Sequence, residues 1–420
     1  MEVKEKVILI AVQMQDDLSA DSSLNELEEL CLTAGAETVG RVIQNRESIH
    51  PGTYIGTGKI EEVQELIEET SATGIVCDDE LSPAQMKNLE KLLDTKVMDR
   101  TIVILDIFAG RATTAEGKIQ VELAQLRYSM TRLAGFGTAM SRLGGGIGTR
   151  GPGETKIETD RRRIRNRITF LKQELKEVVR HREVTRQKRI ANHVPVVALV
   201  GYTNAGKSTL LNTLTNAEVL SEDKLFATLD PTTRALNLPN GETVLLTDTV
   251  GFINKLPHHL IDAFKSTLEE AKYADIIAHV IDASNPERDK QMSVVYQTLS
   301  DLGVENKPVI ALFNKCDRPD PWPIHRDARA EKVIDISALN GAGLLTFQET
   351  ITEILRASKR YLEMVLSFSD GGLLQRIRER GQLLEERYEA DGVHIRAYVP
   401  ENLYQYILHK AEREIRSLTE

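Results

Sequence analysis

A glycine-rich segment at residues 201–208 is the part of this sequence best suited to chemistry. It reads Gly201, Tyr202, Thr203, Asn204, Ala205, Gly206, Lys207 and Ser208. An apolar run precedes it and an apolar helical pattern follows, which places the segment between a buried strand and a helix. Glycines let successive N–H groups point at phosphate oxygens, and the helix N-terminus adds positive charge. The segment predicts a nucleoside triphosphate site, with a plain strand-to-helix turn as the alternative.

Three further polar motifs follow apolar runs downstream. They are Asp248, Thr249, Val250 and Gly251; Asn314, Lys315, Cys316 and Asp317; and Ser337, Ala338 and Leu339. Apolar runs of this kind predict parallel strands, whose carboxyl ends bind ligands in open α/β sheets. We therefore predict that all of these residues lie around the nucleotide.

Each motif suggests a role at the nucleotide. We expect Lys207 to reach the β- and γ-phosphates, while Ser208 and Asp248 hold Mg²⁺, Asp248 through water. The Gly251 N–H is predicted to contact the γ-phosphate and sense its loss. A carboxylate at Asp317 can accept from two guanine N–H groups that adenine lacks, so GTP is favoured over ATP. The alternative for this loop is an ordinary strand-ending turn.

A threonine-containing segment lies between the first two motifs. It includes Phe226, Ala227, Thr228, Leu229, Asp230, Thr232 and Thr233. A threonine here can close the Mg²⁺/γ-phosphate shell when GTP is bound. We prefer Thr228 from its spacing after Ser208, with Thr232 and Thr233 as rivals and a turn cap as the structural alternative. Lys207, Thr228 and Gly251 are thus the predicted catalytic group.

Hydrolysis is expected to be slow without help. After Gly251 stands Phe252, whose side chain cannot orient the attacking water by hydrogen bonding. A partner or an added cation would have to assist. Asn204 resembles the Asn that several GTPases without a water-orienting Gln carry at this loop position, where it can hold K⁺ near the phosphates. This resemblance makes K⁺ the candidate cation.

Composition is that of an ordinary protein with unevenly placed charge. The chain has 420 residues, 41% hydrophobic and 28% charged, with a formal net charge of −10. Yet residues 150–189 contain 14 Lys/Arg against six acids, including the run Arg161, Arg162 and Arg163. Because phosphate contacts are local, this basic stripe predicts an RNA-facing element. A solvated helix face with i,i+4 pairs is the alternative.

Cysteine and hydropathy patterns bear on compartment. Cys31, Cys77 and Cys316 lie far apart, in no metal-binding spacing, and are interpreted as reduced thiols. The chain shows no signal-peptide pattern and no apolar stretch near 18 residues. We expect a cytoplasmic monomer with no membrane span, leaving peripheral membrane association open.

The predicted fold class is α/β, in four parts. These are an N-terminal α/β domain with a parallel sheet (1–111), a helical hairpin with a Gly-rich tip and a basic second helix (112–192), a P-loop GTPase domain (193–359) and a small C-terminal α+β domain (360–420). In the first part, Ile102–Asp106 is predicted as the last strand of the alternation. The hairpin tip is placed at 144–154.

A short segment of the N-terminal domain, Gly56–Lys59, looks like a second phosphate loop without the full spacing. A helix start or turn is the preferred interpretation, and a second nucleotide site is the alternative.

Several of these motifs together resemble the HflX family of ribosome-associated GTPases. The resemblance rests on Gly144–Arg163, Tyr54–Lys59, Gly201–Ser208, Phe226–Arg234 and Asp248–Ile253. It implies GTP hydrolysis stimulated by the large ribosomal subunit and its RNA, with the Gly-rich tip near the peptidyl-transferase centre. It also implies splitting or rescue of stalled ribosomes or subunit maturation, and in some members ATP binding by the N-terminal domain or RNA remodelling.

Two other functions compete with this one. The runner-up is a nucleotide-gated module that caps free large subunits, in which hydrolysis only resets the cycle. The third is a regulatory GTPase with a protein partner, which the basic stripe disfavours.

Overall fold

The computed structural model describes residues 4–14, 20–141, 152–191, 194–215, 225–226, 231–255, 270–304, 306–319, 324–401 and 403–409. The N-terminal domain is a four-stranded parallel sheet in the order β2-β1-β3-β4. Its strands are β1 (Lys6–Gln13), β2 (Glu37–Asn45), β3 (Gly74–Cys77) and β4 (Lys96–Asp99). Its helices are α1 (Ala20–Thr33), α2 (Thr57–Thr70), α3 (Pro83–Leu93) and α4 (Arg100–Arg111). The predicted parallel α/β arrangement is confirmed.

One predicted strand is wrong. Ile102–Asp106 lies in α4, and the strand is the preceding segment, β4. A short apolar run cannot be assigned to a buried strand or a buried helix by periodicity alone. The helix is selected by Asp99, whose side chain accepts a hydrogen bond from the Ile102 N–H at 3.0 Å and caps the first turn.

The two long helices pack against each other as the apolar stripes predict. They are α5 (Ala115–Ser141) and α6 (Pro152–Ala191). Leu123, Ile168 and Leu171 form the buried centre of their contact, flanked by Ile119, Leu126, Met130, Ile164 and Leu175. At 1.5 Å per residue, α6 is about 60 Å long. Of the predicted Gly-rich tip at 144–154, residues 144–151 lie outside the described residues. The prediction of a loop is wrong at 152–154, because these residues form the first turn of α6.

The third part is a six-stranded sheet in the order β10-β9-β8-β5-β7-β6, parallel except for β6. Its strands are β5 (Val196–Gly201), β6 (Thr232–Asn237), β7 (Thr243–Asp248), β8 (Ile276–Asp282), β9 (Val309–Asn314) and β10 (Lys332–Asp335). Helices α7 (Lys207–Thr215), α8 (Arg288–Asp301) and α9 (Leu344–Ala357) accompany it. The polar motifs stand at the carboxyl ends of β5, β7, β9 and β10.

The C-terminal part is a three-stranded antiparallel sheet with one strand in the centre, β11-β13-β12. The elements are β11 (Lys359–Leu366), a 3-10 helix (Phe368–Asp370), α10 (Gly371–Arg380), β12 (Gln382–Glu389) and β13 (Gly392–Pro400). Residues 403–409 are helical. Ile377, Ile395 and Ile407 share its core, as expected for a small α+β unit.

Candidate functional site

The loop from Gly201 to Gly206 has a backbone path that two glycines permit. A Cβ on Gly201 would stand 2.2 Å from the carbonyl oxygen of Val280 on β8. Gly206 has φ of +97°, and a Cβ there would stand 2.2 Å from the Asn314 side-chain nitrogen. Any larger residue would displace the loop from the sheet.

Backbone hydrogen bonds join this loop to the segment after β7. The Thr203 N–H donates to the Phe252 carbonyl at 2.8 Å, and the Phe252 N–H donates to the Gly201 carbonyl at 3.1 Å. A Cβ on Gly251 would lie 2.8 Å from the Thr203 Cα and 3.0 Å from the Lys207 Nζ. Gly251 therefore lies directly against the phosphate loop, as its predicted contact with the γ-phosphate requires.

The Lys207 side chain folds over the loop. Its Nζ donates to the carbonyl oxygens of Gly201 at 3.1 Å and Tyr202 at 2.8 Å. Burial lowers the pKa of Lys207 to about 8, because an ammonium loses hydration there. A polyphosphate in the loop would supply the negative charge that favours the protonated form.

Ser208 and Asp248 meet at the base of the loop. The Ser208 hydroxyl donates to Asp248 Oδ2 at 2.7 Å, and Asp248 is fully buried at the end of β7. A hydroxyl and a carboxylate at one buried point are oxygen donors of the kind Mg²⁺ selects, so these two residues fit the predicted metal.

The neighbours of Asp248 and Gly251 have structural roles. The Thr249 hydroxyl donates to the Leu199 carbonyl at 2.8 Å inside the sheet. Val250 is buried in a core that the segment after β7 shares with the N-terminal domain. Phe252 is also buried, in the core beside Ala271 and Ile277. The Phe252 side chain is therefore packed inside the protein, consistent with the expectation that it does not orient water.

The base loop is tied to the phosphate loop by Asn314. Its side-chain nitrogen donates to the Ala205 carbonyl at 2.8 Å, and its side-chain oxygen accepts from the Ala338 N–H at 2.9 Å. Both ends of its amide hold protein backbone, so Asn314 positions the phosphate loop, the base loop and the segment at Ala338 relative to one another. Its contact with the nucleotide stays a prediction.

Lys315 and Asp317 lie in the loop after β9, which we predicted to bind the base. Lys315 has φ of +68°, and its ammonium bonds to Asp282 at 2.7 Å. The Ser337 hydroxyl donates to Asp317, which holds the pKa of that carboxyl below its usual range. Asp317 is therefore ionised at neutral pH and able to accept hydrogen bonds from a base. Leu339 is exposed at the edge of the same loop.

The threonine segment is only partly described. Ala227, Thr228, Leu229 and Asp230 lie outside the described residues, so the choice of Thr228 stays a prediction. Thr232 and Thr233 are the first residues of β6, and Thr233 Oγ1 lies 2.9 Å from Thr247 Oγ1 of β7. Because its hydroxyl is paired within the sheet, Thr233 is a weaker candidate for closing the Mg²⁺/γ-phosphate shell than the sequence alone suggests.

The N-terminal domain forms one wall of the site, which the sequence did not predict. Phe226 packs edge-on against Phe108 of α4, with ring centroids 4.6 Å apart. Leu225, Val250 and Ile253 join the same core. A cavity of about 530 Å³ lies between parts of α1 and the phosphate loop, with Glu26, Tyr202 and Asn204 among its lining residues. No periodic signal in the sequence links segments so far apart.

A buried charge cluster fastens that wall. The Arg100 guanidinium, 1% exposed, bonds to Asp78 at 2.7 Å and also to Glu26. Lys255, four residues after Gly251, bonds to Asp79 at 2.8 Å and to Asp78. Each charge has an opposite partner, which burial requires.

The basic helix α6 combines paired and exposed charges. Arg167 bonds to Glu122 of α5 at 2.7 Å, Arg182 bonds to Glu116 at 3.1 Å, and Arg161 donates to the Leu133 carbonyl at 2.9 Å. Exposed arginines on the same helix include Arg162, Arg163 and Arg165. Other pairs run along α6 itself, between Arg163 and Asp160 at 3.8 Å and between Arg180 and Glu177 at 4.0 Å. The exposed arginines leave part of the described helix surface basic.

The second glycine motif starts a helix. Gly56 is the N-cap of α2, and its N–H donates to the Gln44 side chain at 2.8 Å. Lys59 bonds to Glu62 at 2.6 Å. These contacts favour the helix-start interpretation over a second phosphate loop. Among the described helices, none is long and apolar enough to cross a membrane.

Three stretches of the chain match known sequence families. Residues 21–109 match the family described as GTP-binding GTPase N-terminal, and residues 111–189 match GTP-binding GTPase Middle Region. Residues 196–315 match the family described as 50S ribosome-binding GTPase.

Close relatives extend over nearly the whole chain. A GTPase HflX from Lacrimispora saccharolytica is 62% identical over 98% of this chain and 97% of its own length. A GTPase HflX from Caldanaerobacter subterraneus subsp. tengcongensis is 49% identical over 94% of this chain and 91% of its own length. Among solved structures, the SsGBP and GDP complex is 24% identical over 83% of this chain and 98% of that chain, with a TM-score of 0.46.

Proposed function

This chain belongs to the HflX family of GTPases, and from that premise we propose that it docks on the large ribosomal subunit under the control of GTP, in the cytoplasm. The docking surface is the RNA-facing side of α6 together with the Gly-rich tip. The similarity of residues 196–315 to a family described as 50S ribosome-binding GTPase supports this partner.

The observation that carries the proposal is the connection between α6 and the phosphate loop. Helix α6 ends at Ala191, and β5, which leads into the loop, begins at Val196. The C-terminal end of a helix of about 60 Å is therefore joined by a short segment to the strand that leads into the phosphate loop. RNA bound by Arg162, Arg163 and Arg165 would act through α6 on β5, the strand that leads into the phosphate loop.

Within the site, the residues divide the work of holding GTP. Asp317 accepts hydrogen bonds from the base, and Lys207 places a positive charge at the β- and γ-phosphates. Ser208 and Asp248 would hold Mg²⁺, which when bound neutralises charge on the phosphate oxygens. The Gly251 N–H and the Thr228 hydroxyl would contact the γ-phosphate and lose that contact after hydrolysis.

The cation that assists hydrolysis is K⁺ in this proposal. Asn204 has φ of +59°, is exposed, and lines the cavity beside the phosphate loop. Phe252 leaves the position after Gly251 without a polar side chain, so positive charge near the phosphates has to come from another group.

The consequence for the ribosome is separation of subunits or rescue of a stalled ribosome. An insertion of the Gly-rich tip into the large subunit would compete with groups that occupy that surface in an intact ribosome. In the alternative, the chain caps large subunits that are already free. Gradient analysis of intact ribosomes distinguishes the two, since only the first yields free subunits when chain and GTP are added.

The RNA-facing surface is tested by charge removal. We replace Arg162, Arg163 and Arg165 with Gln and measure GTP turnover with purified large subunits, small subunits and no subunits. Each lost phosphate contact should reduce the slope of the logarithm of the binding constant against the logarithm of the salt concentration by about 0.7–0.9. A matched control replaces the exposed arginines Arg360, Arg376 and Arg387 of the C-terminal domain. Equal ribosome stimulation in both variants would contradict the proposed surface.

A further inference from the structure

A thiol, an imidazole and a carboxylate converge beside the base loop. Potential ligand atoms of Cys316, His325 and Asp335 all lie within 4.8 Å of one another. The Cys316 thiol here donates to the Phe313 carbonyl at 3.2 Å. Cys316 follows β9, Asp335 ends β10, and His325 lies in the segment between these strands. The three residues come from different segments within 316–335 and do not form a short metal-binding motif.

The fold holds the three residues in place through β9 and β10. Phe313 of β9 pairs with Asp335 of β10, and the Cys316 N–H donates to the Ile336 carbonyl at 3.2 Å. The His325 ring stacks flat on Phe313, with centroids 4.3 Å apart and planes 4° apart. Only 5% of the His325 side chain is exposed, and its Nδ1 contacts Asp335 Oδ1. The imidazole therefore has a fixed position.

These donors match the preferences of one class of ion. Thiolate sulfur, imidazole nitrogen and carboxylate oxygen are the protein ligands of Zn²⁺, and three of them with one solvent position make a common coordination set. Magnesium and calcium favour all-oxygen sets, so a thiol disfavours both. Cys316 is exposed and Asp335 is 56% exposed on its side chain, which leaves an entry path.

We propose that Cys316, His325 and Asp335 form a Zn²⁺ site at the edge of the guanine-binding loop. On binding, a Zn–S bond forms, the S–H bond of Cys316 breaks, and the proton passes to water. The imidazole binds as the neutral base and the carboxylate as the anion. The ion links the turn after β9 to the end of β10.

The site has a direct geometric relation to the nucleotide. Cys316 stands between Lys315 and Asp317 in the loop that we predicted to bind the base. A metal that takes the thiolate therefore restrains the base loop at its centre. This relation does not depend on ribosome binding, so the metal site and the proposed function fail or succeed separately.

Cobalt titration of the full chain tests the proposal. Co²⁺ in a thiolate site gives a sulfur-to-metal charge-transfer absorption, and added Zn²⁺ should remove it by competition. We expect one ion per chain. Cys316→Ser should abolish the absorption, and Asp335→Asn should weaken Co²⁺ and Zn²⁺ binding by at least about tenfold. Circular dichroism of each variant verifies that it is folded.

A matched control uses a second cluster of potential ligands. Glu389, Asp391 and His394 also converge, in the C-terminal domain, but they include no thiol. His394→Gln should therefore leave the charge-transfer absorption and its Zn²⁺ competition unchanged. Absence of the absorption in the unmodified chain, or its persistence in Cys316→Ser, would overturn the site.

Discussion

The hydroxyl of Tyr202, in the phosphate loop, donates a hydrogen bond to the carboxylate of Glu26, in the N-terminal domain, at 2.5 Å. The same hydroxyl accepts from the Asn254 N–H at 2.6 Å. Burial raises the pKa of Tyr202 far above neutrality, so the phenol stays protonated. One side chain thus joins the phosphate loop, the segment after Gly251 and the neighbouring domain.

The ion pairs behind Glu26 predict a large cost for removing Arg100. Arg100→Met leaves Asp78 and Glu26 without the guanidinium that pairs with them, and we expect unfolding to become easier by about 3–5 kcal/mol. Urea denaturation measures this. The control is Arg41→Met, which breaks the exposed pair with Glu28 and should cost at most about 1 kcal/mol. Similar losses in the two variants would contradict the role of the buried cluster.

Asp317→Asn is expected to change base preference. An amide can donate to the second carbonyl of xanthine where the carboxylate of Asp317 cannot, so affinity should move from GTP towards xanthosine triphosphate. Loss of the charged hydrogen bonds should weaken GTP binding by at least about tenfold. Competition with fluorescent nucleotides measures both affinities. Unchanged GTP affinity in the variant would refute the base assignment.

Potassium should accelerate GTP turnover in a manner that requires Asn204. The expected ratio of rates in K⁺ and Na⁺, at equal ionic strength, is about tenfold or more for the unmodified chain. In Asn204→Ala the ratio should fall to near one, while turnover in Na⁺ changes little because the amide contributes through the cation. Equal rates of the unmodified chain in both salts would remove K⁺ from the account.

His279 should make the GTPase domain sensitive to acid. Burial lowers its pKa from 6.5 to about 4, and its Nδ1 has no hydrogen-bond partner among the described residues. The unfolded chain therefore binds a proton between pH 6.5 and 4 that the folded chain rejects. The contribution of His279 to the free energy of unfolding is fully present above pH 6.5. It falls by up to about 1.4 kcal/mol per pH unit as the pH drops from 6.5 to 4.

The measurement for His279 is the urea midpoint between pH 7 and pH 4.5. His279→Phe keeps a planar ring against Tyr296, whose ring centroid lies 5.0 Å away, and should flatten the pH dependence. The control His394→Gln removes an exposed histidine whose pKa is raised by hydrogen bonding to Asp391. A pH dependence that is the same with and without His279 would show that other groups cause it.

Much of the nucleotide site is predictable from sequence because its signals are local. The run of apolar residues before Gly201 predicts β5, and Asp248 and Asn314 stand at the ends of equally apolar strands. Parallel strands bring such ends together whatever the rest of the chain does. The chemistry of Asp317 then follows from its carboxylate and its position.

Other features depend on contacts that no local pattern encodes. The apolar run at 102–106 is compatible with a strand and with a helix. The Asp99 side chain, which caps the N-terminus of α4, favours the helix. The contact of Phe108 with Phe226 joins two domains, and Cys316, His325 and Asp335 meet from separate segments near the base loop. Only the packing of the folded chain reveals these relations.

The central claim is that GTP controls docking on the large ribosomal subunit, and co-sedimentation tests it most directly. Purified large subunits are sedimented with the chain in a non-hydrolysable GTP analogue or in GDP, and the bound chain is quantified. The account predicts at least about fivefold more binding with the analogue. For Asp317→Asn, binding to large subunits should depend on xanthosine nucleotides in place of guanosine nucleotides. Equal binding of the unmodified chain with the analogue and with GDP would contradict the claim.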